Sequence, residues 1–218
     1  AKAIYAWSLK DGSQTQLEYV VSSNAGTWQP TLPKFADALL PQWGNNRPFV
    51  LESGDACEIA PALTYSEEKD SAFYQEGLEV YETSQTLTDE QRDIALFWSD
   101  DPGKTATPPG HWLSILNQVI SEQGYSLDRA AEAYAKLGIA VADSFIGFWN
   151  ARYDFNLLLR ITYIQKVMDA NWQPLLNTPP FPEYPSGHSV QSAAAALVLT
   201  ELFGEAFAFT DHTHETRS

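Results

Sequence analysis

Cysteine and positive charge are what this sequence has least of. One cysteine, Cys57, excludes an internal disulfide and leaves a packed, inert thiol as the expectation. Lys and Arg number 13 against 28 Asp and Glu, a formal net charge of −15. A chain of that sign is repelled by phosphate backbones and anionic lipid, so neither nucleic acid nor an anionic membrane is an expected partner. Any anion site must then be a local positive exception. No apolar run reaches the roughly 18–20 residues that span a bilayer, the run at 193–199 being too short, so no membrane span is expected. The start carries neither an initiator Met nor a signal-peptide pattern, as in a mature form or a fragment.

What is present reads as globular. The chain has 218 residues with 44% hydrophobic and 13% aromatic content, enough for a sizeable core in one domain. Residues 66–85 carry Phe73, Leu78, Val80 and Tyr81 as apolar positions of one helix. Thr88 with Gln91 forms a capping-box pattern ahead of Ile94, Leu96, Phe97 and Trp98, and Asp100-Asp101-Pro102-Gly103 ends that helix. Helices over 112–123 and 126–160 flank Gly124, the second with Leu137, Val141, Phe145 and Phe148 at helical spacing. The expectation is an all-α protein, a helical bundle of about six helices with long proline-rich irregular connections. Residues 1–50 are expected to wrap it irregularly, within one domain covering 1–218.

The chain is organised around Pro182-Glu183-Tyr184-Pro185-Ser186-Gly187-His188-Ser189. Prolines 179, 180, 182 and 185 force an extended approach. From Ser189 to Phe203 the sequence is rich in Val, Ala and Leu, without Gly or Pro, and stops at Gly204, as a buried helix with a C-terminal glycine would. Ser186, Gly187 and His188 thus fall at a helix N-terminus, where unpaired N–H groups and the positive dipole end favour an oxyanion. Gly187 permits close backbone approach, Ser186 offers a hydroxyl, and His188 can move a proton near neutral pH. The blander alternative makes Ser186 a cap and His188 a satisfied histidine. Arg152 follows Phe148 by four residues, so its guanidinium emerges from the core-facing stripe and needs a carboxylate or a bound oxyanion.

Pro-Ser-Gly-His-Ser leading into an Ala-rich helix resembles the second signature motif of the PAP2 phosphatase and vanadium-dependent haloperoxidase superfamily. Asn177 to Tyr184, Gly26 to Pro30 and Leu39 to Gly44 look like its haloperoxidase-related branch. The first motif of the family is a Lys, a six-residue spacer, then Arg-Pro. Keeping the register of Tyr153, Asn156 and Thr162-Tyr163-Ile164, the Lys position falls on Arg152, the Arg position on Leu159 and the Pro position on Arg160. Arg160 is one residue out, about 100° around a helix, and reaches an anion only if the backbone unwinds there. The third motif supplies an Arg, a His and an Asp, and nothing between Gly204 and Ser218 matches it. The chain is expected either to stop short of that segment or to have lost it.

The resemblance implies a bound vanadate, or phosphate as its analogue, held by Arg152, Ser186, Gly187 and Arg160 with His188 as the acid–base group. It implies a vanadate-dependent haloperoxidase-like oxidoreductase acting on small molecules or anions. The alternatives are a PAP2-type acid phosphatase and a non-catalytic helical protein with a relic oxyanion pocket. Acidic soluble members of such families are often exported, to an extracytoplasmic place, but this sequence carries no signal that says so and leaves the compartment unknown. His111, after Thr107-Pro108-Pro109-Gly110, is expected to be structural or at the site's rim. His212 and His214 with Asp211 and Glu215 suggest a metal site, but i,i+2 spacing does not share a helix face and a solvated tail is the expectation.

Overall fold

The computed structural model describes residues 2–214. Among them are seven α-helices: α1 (Lys2–Ser8), α2 (Ala72–Gln85), α3 (Asp89–Ser99), α4 (Thr107–Gln123), α5 (Leu127–Phe155), α6 (Arg160–Val167) and α7 (Gly187–Phe203). A 3-10 turn covers Trp43–Asn45, and extended backbone pairs only at isolated bridges such as Thr27 with Leu157. The all-helical expectation holds. Three boundaries differ from it, each for a local reason.

α2 starts later than the apolar pattern suggested because Ser71 takes the N-cap, its side chain accepting from the N–H of Tyr74. α4 starts earlier, because Pro108 and Pro109 occupy the first turn, where a missing N–H costs nothing. The third difference matters most. α5 stops at Phe155, with Asn156 left-handed at φ 48°, and the chain runs extended before α6 begins at Arg160. Three consecutive leucines cannot share one helix face. Extended, Leu157 and Leu158 pack with Phe73 and Tyr163, while Leu159 joins Trp28, Ile161, Ile164 and Trp172.

The main core lies between α4, α5 and α7, where Leu116, Ile120, Ala133, Leu137, Val141 and Ala195 are buried together. Each large side chain removed from water there is worth roughly 1.5–3 kcal/mol. α7 packs chiefly on α5, yet only Gln191 and Ala195 are buried along it, and Leu197 is 72% exposed. The fully buried helix expected from composition is therefore half-buried: its apolar residues run all round, and only one side meets α4 and α5.

The expected irregular N-terminal segment contains the short helix α1, and its residues 39–51 pack along the C-terminal half of α5. Gly44 stands so close to that helix that a Cβ would lie 2.4 Å from Asn150 Cα. The buried carboxylate of Asp143 accepts from the N–H groups of Phe49, Val50 and Leu51 at 2.7, 2.8 and 3.0 Å, pinning the following loop. The Trp149 indole and the Tyr153 hydroxyl donate to the carbonyls of Leu40 and Leu39. Cys57 is exposed, not packed, because it sits in the irregular turns after that loop.

Candidate oxyanion site at the N-terminus of α7

Ser186 is the N-cap of α7. Its Oγ accepts from the Ser189 N–H at 3.3 Å and from the Ser189 hydroxyl at 3.0 Å. A cap of this kind is worth about 1 kcal/mol. The N–H groups of Gly187 and His188 lie in the first turn, ahead of any carbonyl that could accept from within the helix. They are the open donors of this terminus. The loop enters through a cis peptide between Tyr184 and Pro185.

Beneath the terminus lies Arg152, 4% exposed. Its two terminal nitrogens donate to the carbonyls of Pro182, at 2.9 Å, and Pro185. Its guanidinium lies 4.5 Å over the ring of Phe181, and Nε has no partner. The sequence posed a choice between carboxylate and bound anion; the hydrogen bonds go to carbonyls, and the nearby Glu183 carboxylate acts on the cation through its charge. Proline makes those bonds possible, since a proline-rich loop has few N–H groups of its own to satisfy its carbonyls. Burial lowers the Arg152 pKa to about 10, which leaves it charged at neutral pH. A Cβ added to Gly187 would stand 3.0 Å from the Phe148 ring and 3.5 Å from an Arg152 nitrogen, so this glycine is where the helix terminus closes on the cation.

His188 is exposed, and its Nε2 lies 3.0 Å from the carbonyl oxygen of Trp98. A carbonyl only accepts, so Nε2 carries the proton and Nδ1 is left to exchange one.

Arg160 is engaged by carboxylates. It opens α6, and its backbone N–H donates to the Glu183 carboxylate, which thereby sits at a helix N-terminus where the dipole favours negative charge. Its side chain pairs with Glu76 and, at 3.2 Å, with Glu183, and lies over Phe73. Burial pushes the Glu183 carboxyl upward against the opposing pull of Arg160. Leu159 is 6% exposed within an apolar cluster and donates nothing. The unwinding on which the reach of Arg160 depended is present, but it delivers the guanidinium to two carboxylates.

Sequence reasoning missed the group around His111. That ring is buried between Asp100, 2.7 Å from Nδ1, and Asp211, 2.6 Å from Nε2. His214, expected in a solvated tail, has a side chain only 7% exposed and places Nε2 2.8 Å from Asp100. His212 is exposed, its N–H donating to Gln118, and Glu215 lies outside the described residues. Asp211 and His214 lie 100 and 114 residues from their partners His111 and Asp100, so they leave no local pattern to read.

The described residues thus form an all-helical frame, without a strand, around a proline-fed helix terminus over a buried arginine. A solved bacterial vanadium-dependent iodoperoxidase superposes with a TM-score of 0.94 at 39% identity, over 99% of this chain and 55% of that one. Residues 161–218 match the family model of the VCPO second helical-bundle domain. The chain has the vanadium haloperoxidase-like fold and spans about half the length of the iodoperoxidase it matches. No curated protein matches it.

Proposed function

We propose that the α7 terminus binds a tetrahedral oxyanion, vanadate in the first instance, in a haloperoxidase-like oxidoreductase. The observation that carries this reading is the closure of Gly187 onto Phe148 and Arg152, which brings open N–H donors and a buried cation to one point. The donor set fits the group. Ser186 offers a hydroxyl, Gly187 and His188 offer N–H groups, and Arg152 supplies positive charge from below. Bound vanadate would supply activation of hydrogen peroxide toward a halide. The chain's own residues do the rest: the terminus orients the anion, Arg152 neutralises it, and His188 takes or gives a proton at Nδ1 while Trp98 holds Nε2.

One observation favours a second reading, a non-catalytic oxyanion pocket. Arg160 is committed to Glu76 and Glu183, and Leu159 fills the position where the related family has arginine. Vanadate calorimetry joined to a peroxide-driven iodide oxidation assay separates the two. Saturable binding with turnover supports the enzyme, binding without turnover supports the pocket, and absence of binding overturns both.

A further inference from the structure

We propose that Asp100, His111 and His214 form a binding site for a zinc-type divalent transition-metal ion, oriented by Asp211. The three side chains come from the α3 C-cap, α4 and the segment after α7, and their ligand atoms all lie within 4.8 Å of one another. Two are only 1% exposed and His214 is 7% exposed, inside a wall of rings. Trp98 stacks on His111 at 4.7 Å, Phe97 meets both histidines edge-on at 5.3 and 5.1 Å, and the two imidazoles lie 4.8 Å apart.

The segment that delivers the last two groups is fixed, not draped. The Asp211 carboxylate accepts from the Thr213 N–H at 2.9 Å, Thr213 bonds to Ser114 and Gln118, and the His212 N–H donates to Gln118. Asp100 is the left-handed C-cap of α3 at φ 46°, a conformation aspartate adopts more readily than most residues, and its carboxylate faces both histidines.

The hydrogen-bond count points to a cation. His111 faces carboxylate oxygen at both ring nitrogens, and a neutral imidazole has one N–H to give. An imidazolium satisfies both carboxylates, and so does a metal bound to His111 Nδ1, His214 Nε2 and Asp100, which takes the place of the proton at Nδ1. The Nε2–H of His111 then donates to Asp211, the outer carboxylate that metal-bound histidines characteristically have. Bonds of ~2.0–2.1 Å place tetrahedral ligand atoms about 3.3 Å apart, so the Asp–His contacts of 2.7 and 2.8 Å, made through the two different oxygens of Asp100, must spread while ligand atoms now within 4.8 Å of one another draw in. Two imidazoles and a carboxylate suit zinc, and also cobalt or iron(II), over calcium or magnesium, which take oxygen.

The site is distinct from the oxyanion terminus and independent of that reading, although Trp98 touches both: its ring covers His111 and its carbonyl holds His188. The test reads metal, not activity. The protein is stripped with chelator, then titrated with Zn2+ by calorimetry and with Co2+ by visible absorption, with Mg2+ as control. One equivalent should bind, with the visible bands of low-coordinate Co2+ and a rise in Tm. His214→Ala should abolish the bands, and Asp211→Asn, which leaves every ligand in place, should weaken binding about 10–100-fold. No Co2+ bands together with an unmoved Tm would overturn the proposal and leave a proton shared among two histidines and two aspartates.

Discussion

Arg152 donates to the carbonyl oxygen of Pro182 at 2.9 Å, thirty positions ahead in the chain. Together with its bond to the Pro185 carbonyl, this makes the arginine a bracket for the loop that feeds α7. Replacing it with methionine keeps the apolar stem and orphans two buried carbonyls, at roughly 1–3 kcal/mol each. Arg152→Met should therefore lower stability in urea denaturation and weaken vanadate binding. Unchanged vanadate affinity in a folded variant would place the cradle elsewhere.

His188 stands at the site without contributing charge from beneath it. His188→Ala should remove turnover while vanadate affinity changes by less than about threefold, below 1 kcal/mol. A parallel collapse of affinity would show that the ring binds the anion rather than exchanging its proton.

Leu159→Arg restores the residue type the family resemblance expects there, but at a position buried among Trp28, Ile161, Ile164 and Trp172. A guanidinium there loses apolar burial and has no partner. The variant should lose about 2–5 kcal/mol of stability, as large disruptions of a core do, with no gain in vanadate affinity. A tightened anion site would mean that the extended segment can turn this position toward α7.

Glu183 should make stability fall as pH rises. Burial raises its folded-state pKa above the ordinary 4.5, against the pull of Arg160, so the folded protein keeps its proton longer than the unfolded chain does. The stabilisation is complete below about 4.5 and is lost as pH climbs through the folded value. Glu183→Gln removes that slope. The stability difference between the two proteins, measured by urea denaturation across this window, should shift in the variant's favour with rising pH, and a constant difference would contradict the assignment.

Local chemistry made much of this protein readable from sequence. The capping box of Thr88 and Gln91 forms as written, because both partners lie within one turn. Ser186 caps α7 and Gly204 ends it for the same reason. The core-facing place of Arg152 followed from helical spacing. Its partners did not, since that required knowing where the Pro182–Pro185 loop would return.

The sequence by itself determined an all-helical chain, a proline-fed helix terminus bearing Ser186, Gly187 and His188, and a buried arginine on the longest helix. These rest on interactions a few residues long. Only tertiary structure decided that α5 breaks at Asn156, that Arg160 goes to Glu76 and Glu183, and that Asp100, His111, Asp211 and His214 meet. Each of those outcomes depends on which distant carbonyl, carboxylate or apolar cluster stands opposite when the helices pack, and no periodicity along the chain encodes that.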